Sequence, residues 1–206
     1  MIHSVFIVDD HPLICAGIQA FLNTYHYSIV GTANKGDFLL SELNHTQPDV
    51  LLLDLTMPGR AGIPLIADIK RILPQQKIIV FTASESLFYQ RCCLQLGVEG
   101  YVCKRGNLDT LLVAIKEVER GKRFYPVTHT PADAHDLIGS EKLMSLTRRE
   151  LMVLVKLASG MSNKEIASQL QLSSKTVSTY KIKILRKLGL KGISGINTAA
   201  KENGLV

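Results

Sequence analysis

The chain contains no tryptophan, and aromatic residues fill only 6% of its 206 positions. That scarcity argues against an aromatic platform on which single-stranded bases would stack. Cysteine is sparse too: Cys15, Cys92, Cys93 and Cys103 form no CxxC pair. No His/Cys cluster offers four zinc ligands at a known spacing, and the thiols are expected to serve as small buried hydrophobes in a reducing compartment. No apolar run reaches the roughly 18 residues that a membrane helix needs. The first ten residues lack a basic segment and include Asp9 and Asp10, so no secretory signal is expected and the localisation is expected to be cytoplasmic. With 46% hydrophobic and 20% charged residues, a disordered chain, a collagen and a coiled-coil rod are excluded.

Acid is what the last third lacks. Residues 141–206 hold 4 Asp/Glu against 12 Lys/Arg, a net of +8, whereas residues 1–140 hold 14 against 12, a net of −2. The basic character therefore belongs to a C-terminal module, whose expected partner is a polyanion: nucleic acid first, an acidic membrane surface second. A merely solvated basic face is the plainer alternative. At about 100–150 residues per domain, the length favours two domains.

Hydrophobic patterning draws the boundary. Short, nearly unbroken apolar bursts fall at 4–8, 28–32, 50–53, 77–81 and 100–102, as in strands buried on both faces. Between them, residues 13–23, 36–43, 63–73, 87–96 and 108–119 place apolar residues at helical spacing. Such β-α repeats predict a flavodoxin-like (βα)5 parallel sheet, with ligands beyond the carboxyl ends of the strands. The pattern fades after residue 121. We therefore expect a first domain over 1–121, a linker over 122–142 and a second domain over 143–206, with an ordered segment packed on either domain as the alternative to a linker. The second domain reads as four short helices. Thr147 and Glu150 form a capping box, Asn163 is expected to cap 164–170, a turn leads to 175–188, and a last helix spans 193–203.

Asp9 and Asp10 follow the first strand and Asp54 follows the third. Neighbouring parallel strands would bring all three to one sheet edge. Carboxylates that close repel, so one stays protonated or a cation binds. Oxygen ligands with open positions suit Mg2+, which also accepts phosphate oxygens. Thr82 and Lys104 end the fourth and fifth strands, where they can hydrogen-bond and neutralise a phosphoryl group.

Val8-Asp9-Asp10-His11, Asp54-Leu55-Thr56-Met57-Pro58-Gly59, Thr82-Ala83 and Lys104 together resemble the receiver domain of two-component response regulators. The resemblance implies that Asp54 accepts a phosphoryl group from a histidine kinase or phosphotransfer protein. It implies that Asp10 and Asp54 ligate Mg2+ directly, Asp9 through water, and Thr56 through its backbone carbonyl. Lys104 would neutralise phosphoryl charge, with Thr82 and Tyr101 forming a switch in which the ring follows the hydroxyl inward. The chain departs from many receivers in having Lys104-Arg105 in place of Lys-Pro.

In the basic module, residues 163–170, a short turn and 175–188 read as a helix-turn-helix. At about 100° per residue, Val177, Tyr180, Ile184 and Leu188 fall on one side of the second helix. Lys175, Thr179, Ile182, Lys183 and Arg186 fall opposite, with Ser178 at the flank, a basic face suited to a major groove. A solvated helix in a small bundle is the alternative. Leu146-Thr147-x-x-Glu150, Asn163-Lys164-Glu165-Ile166-Ala167 and Leu172-Ser173-x-Lys175-Thr176-Val177 resemble the LuxR-type domain of the NarL/FixJ class. The run Thr176-Val177-Ser178-Thr179-Tyr180-Lys181 resembles its BvgA/EvgA-like branch. By that resemblance Ser178, Thr179 and Ile182 approach base edges, while Lys164, Lys175, Thr176 and Lys183 contact phosphates. Ile182 offers no hydrogen bond, and Lys181 falls near the packed side.

The expectation is a phosphorylation-dependent transcription factor that binds double-stranded promoter DNA as a homodimer, with RNA polymerase as a further partner and no membrane. Two other classes bear weighing. An Asp-nucleophile phosphatase of the haloacid-dehalogenase kind needs a second Asp two residues on, where this chain has Thr56. A receiver whose output domain binds protein would not need the +8 charge.

Overall fold

The computed structural model describes residues 2–57, 61–85, 87–126, 142 and 145–202. The chain divides into two compact units, Met1–Val127 and Thr128–Val206.

In the first unit, apolar strands alternate with helices: β1 (Ser4–Val8), α1 (Pro12–Asn23), β2 (Ser28–Ala33), α2 (Leu39–Thr46), β3 (Val50–Leu53), α3 (Gly62–Ile72), β4 (Lys77–Thr82), α4 (Leu87–Leu96), β5 (Gly100–Cys103) and α5 (Leu108–Glu119). All strand pairs are parallel, in the order β2-β1-β3-β4-β5, the flavodoxin-like arrangement expected. Successive strand residues alternate between the two sheet faces. Val5, Ile7, Leu52, Ile79 and Val102 pack with Ile18 and Leu22 of α1 and with Leu111, Ile115 and Val118 of α5. Phe6, Leu51, Leu53, Ile78, Val80 and Tyr101 belong to the alternate set and are buried too. Burial on both faces is why β1, β3, β4 and β5 read as apolar runs, whereas β2, at the sheet edge, alternates between exposed and half-buried residues and is not buried on both faces as expected.

Local chemistry sets the element ends. Pro12 opens α1 where a missing N–H costs nothing. Asn107 caps α5 by accepting from the Asp109 N–H at 3.1 Å. The β1/β2 register shifts between Val5 and Phe6, where Gly31 leaves room for the Phe6 ring: a Cβ there would lie 2.3 Å from the ring carbon. Helix α2 sits about one turn later than expected. Phe38 is its N-cap, and its end is made without glycine, by Gln47 in the left-handed region at φ 44°. The chain also stays on the sheet past residue 121. Phe124 bridges Gly100 in parallel, donating to the Glu99 carbonyl and accepting from the Tyr101 N–H, and the Tyr125 hydroxyl donates to the Val98 carbonyl at 3.0 Å. Of the expected linker, residues 127–141 lie outside the described residues.

The second unit holds, among the described residues, α6 (Arg148–Ala158), α7 (Asn163–Leu170), α8 (Ser174–Leu188) and α9 (Ile193–Glu202). Leu151, Leu154, Ile166, Leu170, Val177, Ile184, Leu188 and Ile196 are among its buried side chains. Thr147 and Glu150 form the expected capping box on α6. On α7, Ser162 is the cap and Asn163 the first helical residue. Glu165 decides this: it lies three residues after Ser162 and closes a second box, whereas a cap at 163 would put Ile166 in that place. Ser173 caps α8 through the Thr176 N–H, and Gly189 ends it at φ 68°. At the far end of α8, Lys187 donates to Glu150 Oε2 at 2.7 Å and to the Ser145 carbonyl at 2.9 Å, tying α8 to the start of α6.

Candidate functional site

The registers Val8↔Leu53, Leu53↔Val80 and Thr82↔Cys103 align the carboxyl ends of β1, β3, β4 and β5. The residues that follow them therefore meet at one edge. Asp9, Asp10, His11 and Asp54 each place a ligand atom within 4.8 Å of the others. Asp54 is 1% exposed. Its Oδ1 accepts from the Thr56 N–H at 3.1 Å, and the Thr56 hydroxyl lies 3.2 Å from both carboxylate oxygens. Lys104 bridges two of the acids, with Nζ 2.7 Å from Asp54 Oδ2 and 2.6 Å from Asp9 Oδ2. Burial works against the Lys104 charge, but its bonds to Asp54 and Asp9 outweigh that effect and raise its pKa above the ordinary lysine value.

The acids are unequally satisfied. Asp9 Oδ1 accepts from the His11 N–H at 3.0 Å, with the imidazole Nδ1 3.2 Å away. His11 Nδ1 also lies 2.9 Å from Asp10 Oδ1, yet outside hydrogen-bonding geometry, so that buried oxygen has no hydrogen-bond partner. A buried carboxylate oxygen without a hydrogen bond, among other carboxylates, is the condition a divalent ion relieves. The donors are mostly oxygen, which suits Mg2+. Asp9 also lines a groove of about 680 Å³ with Pro12, Cys15, Thr32 and Phe38.

Thr82, fully buried, ends β4, and its carbonyl accepts from the Lys104 N–H at 2.8 Å. Its hydroxyl accepts from the Ser84 N–H at 3.4 Å. Tyr101 is also fully buried, its hydroxyl donating to the Ser84 carbonyl at 2.8 Å. Burial pushes its phenol far above the usual tyrosine range. The Tyr101 ring stacks on Tyr125 at 6.3 Å and 23°. Tyr125 was not singled out from the sequence, although Phe124-Tyr125 is an aromatic pair just where the periodicity fades. Of the motif residues, Pro58 and Gly59 lie outside the described set. The peptide bond after Lys104 is trans. Cys92 and Cys93 are buried, the former with its thiol pushed up to about 12 by burial, and Cys15 and Cys103 are half-buried.

In the second unit, Val177, Ile184 and Leu188 of α8 are buried and Tyr180 is half-buried, while Lys175, Thr179, Ile182, Lys183 and Arg186 are exposed. Lys164 is exposed in the first turn of α7. Thr176 and Ser178 are half-buried. The Thr176 hydroxyl pairs with Ser173 Oγ at 2.8 Å. The Ser178 hydroxyl accepts from Asn163 Nδ2 and donates to the Ser174 carbonyl, both at 3.0 Å, which locks α7 to α8.

Comparison with known proteins agrees with both units. Residues 5–116 match the response regulator receiver domain, and residues 144–199 match the bacterial regulatory proteins of the luxR family. The chain is 33% identical to BvgA of Bordetella pertussis over all of both chains. It is 32% identical to the response regulator RcsB in a complex with DNA, with a TM-score of 0.62 and 98% of each chain covered. A structure of two RcsB dimers bound to two parallel DNAs matches with 32% identity, a TM-score of 0.61 and 98% of each chain. With a receiver domain followed by a LuxR-type DNA-binding domain, the chain belongs to the two-component response regulators of the NarL/FixJ class.

Proposed function

We propose that phosphoryl transfer to Asp54 controls binding of the second unit to promoter DNA. The observation that carries this reading is the geometry around Asp54: a buried carboxylate at a strand end, gripped by Lys104, beside Asp9 and an Asp10 oxygen that has no hydrogen bond. Asp10 and Asp54 would hold Mg2+ directly, with Asp9 one water away and the Thr56 carbonyl completing the protein ligands. When bound, the ion supplies positive charge to the oxygens of the transferred group. The Asp54 carboxylate is the nucleophile toward the phosphorus of a phosphohistidine donor. Lys104 occupies Asp54 Oδ2 before reaction and must yield that oxygen, after which its ammonium is placed to neutralise the new acyl phosphate. Thr82, next to Lys104 through the backbone, is placed to donate to a phosphoryl oxygen. Its departure from the Ser84 N–H would disturb the segment that also holds the Tyr101 hydroxyl. Thr56 offers a hydroxyl where a hydrolase of similar nucleophile would need an acid, so the acyl phosphate is expected to decay by slow hydrolysis rather than turn over.

The second unit is read as the DNA-binding output. In it Lys164, Lys175, Thr176 and Lys183 contact phosphates while Ser178, Thr179 and Ile182 face base edges. Phosphorylation favours a homodimer on paired half-sites, where RNA polymerase would meet it, in the cytoplasm. No helix among the described residues is long and apolar enough to cross a membrane. Footprinting with and without a small phosphodonor tests the reading: stronger protection with the donor is expected for the wild type, and equal occupancy under both conditions would contradict control by Asp54.

A further inference from the structure

The outward face of α8 presents one large apolar side chain among cations. Ile182 is 66% exposed, and Lys175, Thr179, Lys183 and Arg186 are exposed on the same face. A single exposed isoleucine ordinarily means nothing; its neighbours give this one a meaning. The hydroxyl protons beside it are already engaged within the protein. Ser178 Oγ donates to the Ser174 carbonyl at 3.0 Å, and Thr179 Oγ1 donates to the Lys175 carbonyl at 3.1 Å. Lys181 is half-buried. Between its flanking cations, then, the helix offers a base edge a branched hydrocarbon and no free hydroxyl donor.

The major groove carries one apolar group, the C5-methyl of thymine. We propose that Ile182 determines specificity by packing on a thymine C5-methyl, so that the bound site carries a T·A pair at a fixed position. A cytosine in that place would lack the methyl and turn its N4 amino donor toward hydrocarbon, an unpaired donor in a closed interface. This inference rests on the reading of α8 as the helix that enters the major groove.

Duplexes selected from a random pool by the full-length chain, with a small phosphodonor present, supply the bound sequence. Each invariant thymine is then replaced by uracil, which removes the methyl and nothing else. At one such position the wild type is expected to bind about four-fold more weakly per half-site, the worth of one buried methyl group. Ile182→Ala should bind the thymine duplex as weakly as the uracil duplex, and Ile182→Val should keep part of the preference. Because Ile182 is exposed, the alanine variant sacrifices little packed surface, and unchanged thermal unfolding checks that it is folded. Wild-type binding that ignores uracil at every invariant thymine overturns the inference, as does an Ile182→Ala protein that still prefers the methylated base at that position. Failure of the DNA-binding reading looks different: no duplex is enriched or retained even at low salt, and both then fall.

Discussion

The two units solve opposite electrostatic problems. The first, part of a stretch with net charge −2, crowds three carboxylates and one ammonium into a nearly closed site, with Asp54 1% exposed and the Lys104 side chain 10% exposed. The second, within a stretch of net charge +8, spreads Lys164, Lys175, Lys183 and Arg186 over solvent-facing helix surfaces. In a shared, largely buried site each group sets the state of the others, so the loss of one is felt by all. On a wet surface each cation would meet its own phosphate, so losses should add. The receiver is therefore expected to behave as all-or-none and the basic unit as graded.

The sharpest break in that comparison comes from Asp54→Ala. Incubated with a small phosphodonor and Mg2+, the wild type should gain one acid-labile phosphate by intact mass, and the variant none. Stripping divalent ions with a chelator should come next in size, slowing uptake by orders of magnitude while Asp54 is still present. It leaves the incoming charge uncompensated. Persistent labelling of the Asp54 variant would move the acceptor elsewhere. Rapid labelling without metal would mean that Lys104 alone carries the charge.

How much of this was legible beforehand follows the same division. Strand ends could be read because unbroken apolar runs end abruptly in Asp9, Asp54, Thr82 and Lys104, and a parallel sheet must gather such ends. What could not be read was the pairing inside the site. Lys104 holds Asp9 as tightly as Asp54, a result of side-chain reach that no spacing encodes. Helix starts were legible where a capping box was spelled out, at Thr147, and slipped by one where Ser162 and Asn163 are both good caps and only Glu165 decides between them. Stops at Gln47 and Gln171 were harder, since both adopt the left-handed region without the glycine that usually announces it. Tyr125 was hidden because a single bridge and one stacking contact leave no periodicity to detect.

A buried carboxylate in the second unit sharpens the comparison from the other side. Glu150 is 3% exposed and accepts from Thr147 and Lys187. Burial raises its pKa, but those hydrogen bonds outweigh burial and hold it below the ordinary 4.5. Its stabilisation is therefore complete above that pH and is lost as pH falls through the depressed native value. Glu150→Ala should cost about 2 kcal/mol, from the lost cap and charged hydrogen bonds. It should be read as faster hydrogen exchange across α6 and α8, with the first unit unchanged. Glu150→Gln should flatten the acid dependence of that exchange. An unaltered acid profile would assign the transition to other carboxylates.

The smallest expected effect decides whether the second unit is graded. Lys183 is exposed on α8 and pairs with no carboxylate among the described residues, unlike Lys187 with Glu150. Lys183→Ala should leave folding untouched and remove one phosphate contact, lowering the slope of log K against log salt by about 0.9. Duplex affinity should therefore drop several-fold at low salt, and the two proteins should converge as salt rises. Lys175→Ala should do the same independently, and the double variant should lose the product of the two factors, measured by salt-titrated anisotropy on one duplex. A double loss far beyond that product would make the basic face a coupled site like the receiver's and remove the distinction between the units. A single loss that ignores salt would take Lys183 off the phosphate backbone altogether.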